Sequence, residues 1–455
     1  MSKKNRRPPG SASRPAPPCV GLVSLGCAKN LVDSERLLGL VAQAGFPVCA
    51  DPEQADVVLL STCAFIGPAV EETRAEIERW TARKASGRCA ALAVLGCFPK
   101  RFGEQARPPG VDAWFGVGED AGVVAFLEGL AGKAPARGPC APADEAAAAL
   151  APDVARLRCT PEHWAYLKVT EGCDNRCRYC TIPSIRGPLR RKPLAAIVEE
   201  AAELAGSGAR EIVLIGQDTA AWRGREGRGL EAVLEALAAV KGVEWVRVLY
   251  AHPAHVSEEL VRALAAGPPI LPYLDLPVQH ASDRILKAMG RGTTGSDIRR
   301  TVSRLRETVP GLVLRTTVMV GFPGETESEF AELLGFLSWS RIERVGAFLY
   351  SPEEGTEAAG LPGRVPAQEG RRRLEELLAL AAGIRDRFHE SRAGREEEGV
   401  VEERFGRRIA ARTAAEAPEV DPVVLALGSA PLGARVRLRI TGREGPNLTA
   451  RVAGK

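Results

Sequence analysis

Apolar and polar positions along the chain fall into two kinds of block. Short apolar runs rich in Val, Leu and Ile read as strands, and longer stretches with apolar residues three and four apart read as helices. From residue 20 the order is strand 20–25, helix 31–44, strand 57–60, helix 69–85, strand 90–95, a short polar helix, strand 114–117 and helix 120–130. Such alternation predicts a doubly wound parallel sheet. Residues 131–156 break the pattern: Ala and Pro dominate and no apolar period is present. That is the composition of a tether on which the first unit swings. Alternation resumes with strands at 166–169, 211–215, 245–249, 273–278, 312–320 and 344–350, interleaved with helices at 194–205, 230–240, 257–265 and 327–339. About six strand–helix units with polar or glycine-rich tips predict a partial parallel (β/α)6 barrel with its site at the strand carboxyl ends. An amphipathic helix over 366–392 follows, with Leu374, Leu377, Leu378, Ala381 and Ile384 at helical spacing. Short strands at 399–403, 407–411, 423–426, 434–440 and 448–452 then predict a small all-β barrel. The expected division is a tail 1–17, a first domain 18–132, a linker 133–158, a core 159–392 and a terminal barrel 393–455.

Composition narrows the class. A chain of 455 residues, 45% of them apolar, has room for two to four domains with their own cores. No apolar run is long enough to span a bilayer. The basic, Pro-rich start (Lys3, Lys4, Arg6, Arg7, Pro8, Pro9) lacks the apolar core of a signal peptide and reads as the disordered tail of a cytoplasmic protein. The net charge of +4 neither demands nor excludes nucleic acid. The eleven cysteines are odd in number and come without an export signal, which argues against a disulfide framework and for metal or catalytic use. Cys19, Cys49, Cys89, Cys140 and Cys159 join no constellation and are expected to be buried or incidental thiols.

Cys173, Cys177 and Cys180 are spaced C-x3-C-x2-C directly after a strand. The same spacing on a helix would make one buried face, but Gly172, Asp174 and Asn175 are turn formers and favour a loop. Three sulfurs are one short of the closed shell of structural zinc, for which Cys159 or His163 would have to supply the fourth ligand. They suit a cubic iron–sulfur cluster with one iron left open for a small molecule. In the first domain Cys27 follows the first strand, Cys63 the second and Cys97 the third. Ligands of open parallel sheets bind beyond the strand carboxyl ends, so these three also converge, and a second metal cluster is expected there.

The loop Cys173–Cys180, with Tyr179 before the last cysteine, resembles the radical SAM superfamily signature, C-x3-C-x-(aromatic)-C. The resemblance implies a 4Fe-4S cluster on Cys173, Cys177 and Cys180, S-adenosyl-L-methionine as co-substrate and an external electron donor. It also implies reductive cleavage to a 5′-deoxyadenosyl radical that removes one hydrogen from a substrate. A glycine-containing segment after the fifth strand supports the nucleoside in that superfamily, and Gly321 and Gly324 occupy it here. Gln217, Gln279 and His280 are pocket candidates by strand position, with Tyr179 beside the cluster. His252 and His255 stand at another strand tip, as open to a structural as to a functional role.

Gly26-Cys-Ala-Lys-Asn30, Ser61-Thr-Cys-Ala-Phe-Ile66 and Gly96-Cys-Phe-Pro-Lys-Arg101 resemble the three cysteine segments of the methylthiotransferase family. That family usually has Asn where this chain has Ser61, which affects a local hydrogen bond. Membership implies an auxiliary 4Fe-4S cluster on Cys27, Cys63 and Cys97. Pro161-Glu-His-Trp164, Thr181-Ile-Pro-Ser-Ile-Arg-Gly187, Leu249-Tyr-Ala-His-Pro253 and Tyr273-Leu-Asp-Leu-Pro-Val-Gln-His280 are similar to the branch acting on the twelfth protein of the small ribosomal subunit. That branch methylthiolates an aspartate β-carbon and takes its methyl group from a second S-adenosylmethionine. The sister branch modifies tRNA adenosine, and the Gly-Cys-Ala-Lys-Asn form favours the ribosomal one. Ala417-Pro-Glu-Val-Asp421 resembles the TRAM domain, through which nucleic acid contact is expected. Residues 395–455 carry a net charge of +2. Arg435, Arg437 and Arg439 alternate on one strand face, as either a phosphate-contacting stripe or a charged edge.

Overall fold

The computed structural model describes residues 16–132 and 150–453. Strands β1 (Val20–Ser24), β2 (Val57–Thr62), β3 (Ala91–Gly96) and β4 (Ala113–Phe115) form a parallel sheet in the order β1-β2-β3-β4. β2 and β3 are buried at every position, which is why they read as unbroken apolar runs. Helices cover both faces. Leu37 and Val41 of the helix Ala28–Gln43 pack on one face with Leu127. Ile77 and Trp80 of the helix Gly67–Ala85 pack on the other with Phe98. Cys19 and Cys49 form a disulfide across a Cα–Cα distance of 6.1 Å. This corrects their reading as incidental thiols: the isolated bridge of Val48 to Val20 brings the segment after the first helix back beside β1. The other described cysteines are free, and Cys140 lies outside the described residues, as do residues 1–15 of the expected tail.

The central sheet contains β5 (Trp164–Lys168), β8 (Glu211–Ile215), β9 (Trp245–Val248), β10 (Ile270–Asp275), β11 (Val313–Val320) and β12 (Arg344–Leu349), all parallel and adjacent in that order. Between β5 and β8, β6 (Thr170–Glu171) and β7 (Arg190–Arg191) pair as an antiparallel ribbon, and the cysteine loop is the excursion between them. Helices pack on the outer face. The inner face presents Tyr166, Val213, Ile215, Leu249 and Tyr273, and is filled by Val32 of the first domain and by Val400 and Ala417 of the terminal barrel. Helices Ile182–Arg186, Asp283–Ala288 and Gly295–Thr308 were not expected from the apolar pattern. The last is announced by a capping box between Thr294 and Asp297, a local signal that a search for apolar periods passes over.

β13 (Glu396–Phe405), β14 (Arg408–Thr413), β15 (Val424–Leu427), β16 (Arg435–Glu444) and β17 (Asn447–Val452) close a barrel in the order β13-β14-β15-β17-β16. Closure removes the edge on which the arginine stripe was placed. Arg437 and Arg439 stand opposite Glu398 and Glu396 of β13, and Arg435 pairs with Glu244 and Glu398. The barrel docks against the amino ends of the central strands. Arg412 and Arg247 both hold Glu211 (2.8 and 2.7 Å), and Arg344 holds Glu416 at 2.9 Å. The helix Ala367–Arg392 joins the two ends of the central sheet. Arg373 binds Glu325 at one end (3.2 Å), and Arg392 binds Glu416 at the other (2.5 Å). The described end of the expected tether, from residue 150, is packed. Asp153 and Arg156 are buried, with Lys192 on Asp153 and Arg156 between Glu35 and Glu200.

Burial opposes ionisation of Glu416 more than any one neighbour, yet Arg392, Arg344 and Thr413 together bring its carboxyl down to about 2 from an ordinary 4.5. Its contribution to stability is therefore complete above pH 4.5 and is lost as pH falls through about 2. Glu416→Gln leaves buried Arg344 without a carboxylate and Arg392 with Glu397 alone, and should lower unfolding stability at pH 7 by about 3 kcal/mol. The difference from the unsubstituted chain should shrink as pH falls below 4.5. Equal urea midpoints for the two proteins at pH 7 would refute this anchoring role.

Candidate active site

Each cysteine of the first triad leaves the carboxyl end of a strand. Cys27 caps the helix after β1, Cys63 follows β2, and Cys97 follows β3 and opens a short helix. Gly26 (φ +96°) is fixed as glycine, because a Cβ there would lie 2.7 Å from the Cys63 Cβ and 3.1 Å from its Sγ. Gly96 (φ +97°) makes the equivalent turn before Cys97. Asn30 donates to the Leu25 carbonyl (2.6 Å) and to Ser61 Oγ (3.0 Å). The serine thus supplies an acceptor where the family usually has Asn. Burial raises the Cys63 thiol, and it pushes Cys97 up to about 11 with Arg186 opposing it. Cys27 is exposed, although its surroundings are closely packed. Burial works against its thiolate, but Lys29 and Arg186 outweigh that effect and lower it.

The second triad lies on the loop between β6 and β7. Burial raises Cys173 and pushes Cys180 up to about 12. The Ile182 amide donates to Cys180 Sγ (3.4 Å), and Arg291 reaches Cys177 Sγ at 3.6 Å. Tyr179 packs with the apolar group of Ile285, Met289, Met319 and Phe322, a contact that seats the loop on the sheet. Donors placed among amides and guanidinium groups suit anionic sulfur, and a coordinating thiol is deprotonated outright by its metal.

The donor set fits a cluster better than a single ion. Zinc, with bonds of about 2.3 Å, draws its sulfurs to within about 4 Å of one another. Among the described residues the group of donors that closes to within 4.8 Å is Asp218, His252 and His255, and neither cysteine triad does so. The proposed fourth zinc ligands are also elsewhere. His163 pairs with Glu402 of the terminal barrel at 3.0 Å, and Cys159 is exposed beside Glu35. Three open thiols on one loop match cysteine ligation of an iron–sulfur cluster.

The expected pocket residues separate into two sets. Gln217 donates Nε2 to Glu171 (2.9 Å) and leaves Oε1 buried without a partner. Gln279 is held at φ +69° with its Oε1 also unpartnered. His252 accepts from the Ala254 amide at Nδ1 (3.1 Å), so its neutral ring carries the proton on Nε2, which is buried without an acceptor. Burial lowers its pKa to about 3. Buried orphan acceptors and an orphan donor at strand tips suit a ligand with an ammonium and a carboxylate, as the methionyl end of S-adenosylmethionine has. His280 also has an orphan Nε2, but Glu329, Arg284 and Arg373 are its charged neighbours. The glycine segment is occupied internally: Glu325 takes the Gly321 and Phe322 amides, and Gly324 donates to the Gly363 carbonyl (2.7 Å).

Sequence reasoning assigned no role to the charges that join the triads. Arg186, one short helix after Cys180, reaches Cys97 Sγ (3.4 Å), Asn30 (3.4 Å), Asp33 (2.5 Å) and Glu171 (3.4 Å). Lys168 holds Asp33 (2.5 Å) and Glu171 (2.7 Å) from the same side. Asp218 ties Asn175 of the cysteine loop (2.8 Å) to His255 (2.6 Å) and to the His252 amide (3.2 Å). Polar residues at strand ends inside apolar context were the available signal; their pairing across domains was not.

Residues 167–337 match the Radical SAM superfamily, residues 20–116 match the Uncharacterized protein family UPF0004, and residues 393–453 match the TRAM domain. The ribosomal protein uS12 methylthiotransferase RimO of Desulforudis audaxviator is 42% identical over 439 residues, covering 95% of this chain and 96% of that protein. The RimO of Geobacter sulfurreducens is 39% identical over 446 residues, covering 95% and 98%. Among solved structures, the radical S-adenosylmethionine methyltransferase TsrM from Kitasatospora setae superposes with a TM-score of 0.51 at 16% identity, over 73% of this chain and 74% of that one. That likeness concerns the fold alone. No helix among the described residues is long and apolar enough to cross a membrane.

His252→Phe and Gln217→Leu each remove one orphan polar atom and should weaken equilibrium binding of S-adenosylmethionine by about tenfold. Calorimetry on anaerobically reconstituted protein reads this directly. Unchanged affinity in both variants, at full iron content, would remove these residues from the pocket.

Proposed function

Because the chain belongs to the RimO family of radical SAM methylthiotransferases, we propose that it adds a methylthio group to the β-carbon of an aspartate in ribosomal protein uS12. The observation that carries this reading is the convergence of two open cysteine triads across one interface, joined by Arg186. Cys173, Cys177 and Cys180 hold the cluster that meets S-adenosylmethionine, and Cys27, Cys63 and Cys97 hold the auxiliary cluster. When bound, these groups supply reductive cleavage of a carbon–sulfur bond, a carbon radical and the sulfur and methyl of the product.

The protein's own part is placement. Gln217, Gln279 and His252 orient the methionyl end of the co-substrate, with Tyr179 of the cysteine loop beside the cluster. Gly321 and Gly324 shape the neighbouring strand tip rather than offering free amides. Arg291 and Arg186 counter the negative charge of sulfur. The functional units are residues 18–132, 159–392 and 393–455. An external reductant delivers electrons, the work is cytoplasmic, and the TRAM barrel contacts nucleic acid while the substrate remains a protein.

Anaerobic protein should carry about eight irons per chain, and Cys63→Ala about four. With dithionite and S-adenosylmethionine, the full chain should release 5′-deoxyadenosine and add one methylthio mass to uS12. Cys63→Ala should release 5′-deoxyadenosine without that mass. In a deletion strain, uS12 should lose the mass and tRNA should be unchanged. Loss from tRNA with intact uS12 would transfer the activity to the sister branch.

A further inference from the structure

Lys29 occupies the first turn of the helix that Cys27 caps. It is 8% exposed, and its Nζ stands 3.5 Å from the centre of the Tyr250 ring. Among the described residues it makes no ion pair. Lys168 and Arg186, by contrast, share Asp33 and Glu171, Lys192 holds Asp153 and Glu200, and Arg291 faces the Cys177 sulfur and the Pro277 carbonyl. An ammonium kept from water without a carboxylate is costly, and an aromatic face returns only part of that cost. Its three donors also leave capacity that one ring does not use.

The position gives the spare charge a direction. Tyr250 follows β9 at the carboxyl end of the central sheet and is held at φ +60°, a conformation that a bulky side chain seldom adopts. Its amide donates to Asp275 (3.1 Å), and its carbonyl accepts from Thr219 (3.0 Å). Thr219 adjoins Asp218, which binds Asn175 of the second cysteine loop. The strained backbone therefore sets the ring under Lys29, and Lys29 extends from beside Cys27 towards the strand tips. Arg186 already serves the sulfur of Cys97, with its own charge met by two carboxylates. A substrate carbon worked on by both centres must enter between them, where Lys29 is a buried cation without a carboxylate, its one anionic neighbour being the Cys27 sulfur that a cluster would take up.

We infer that Lys29 recognises the carboxylate of the aspartate substrate and so selects a protein side chain over a nucleobase. This rests on the proposed uS12 reaction. The ammonium pairs with one carboxylate oxygen on entry and holds the β-carbon beside the triads, while an adenine offers no anion at that point.

The test uses the full reconstituted chain and its Lys29→Met and Lys29→Arg variants. Each is assayed with uS12 carrying either aspartate or asparagine at the modified position. The kcat/KM ratio for methylthiolation is measured, with iron per chain determined throughout. If the asparagine form is not turned over, fluorescence anisotropy gives the ratio of affinities instead. The unsubstituted chain should prefer aspartate by about a hundredfold. Lys29→Met should abolish the preference, chiefly through KM, at unchanged iron content, and Lys29→Arg should restore part of it. A preference that persists in Lys29→Met overturns the inference and leaves the uS12 reading standing. Equal loss for both substrates together with lost iron also overturns it, since Lys29 would then serve the sulfur site alone. Failure of the unsubstituted chain to modify the aspartate form overturns both.

Discussion

Two cations and two anions, three of them shut away from water and Asp33 largely so, fix the relation between the halves of this protein. Asp33 comes from the first helix; Lys168, Glu171 and Arg186 come from the central domain. Against burial, Lys168 and Arg186 hold the Asp33 carboxyl far below its usual range. Burying four charges gains little net stability over an apolar interface of the same volume, but removing one member costs several kcal/mol. What the arrangement secures is register. An apolar face slides, whereas these four groups are satisfied together in one placement, and that placement sets Cys97 beside the guanidinium that follows Cys180.

The strand tips around this junction are built against local preference. Tyr250 and Gln279 both have positive φ without being glycine. Gln217, Gln279 and His252 keep polar atoms buried without partners. Each departure costs free energy in the isolated chain, and native structures keep few of them. At the amino end, Glu211, Arg247, Arg412 and Glu416 join the sheet to the terminal barrel through ion pairs. The base is thus held by carboxylate–guanidinium pairs, and the rim by strained backbone and neutral polar groups.

Much of this was legible in the amino-acid order. The alternation of apolar runs and amphipathic stretches placed both parallel sheets, because strands buried on both faces have little choice of residue. The six cysteines of the two triads stood out by spacing and by strand position. The Cys19–Cys49 bridge did not, since nothing local signals that residue 48 returns to β1. The packed stretch after residue 150 was also hidden: Asp153 and Arg156 look like solvated linker charges until Lys192, Glu35 and Glu200 come to meet them. That the arginine stripe of β16 lies in a closed barrel, opposite glutamates some forty residues earlier on β13, was equally hidden. Local pattern encodes which face is buried; it does not encode which charge is opposite.

The helix Ala367–Arg392 is about 39 Å long at 1.5 Å per residue. Gly370 lies against Leu349 and Arg373 against Glu325 near one end; His389 meets Arg344 and Arg392 meets Glu416 near the other. One residue inserted between these contacts would turn everything beyond it by about 100° and advance it by about 1.5 Å. Both ends could not then dock at once. This segment therefore works as a ruler matched to the depth of the sheet, and the chain can change its length in surface connections far more readily than along this gauge.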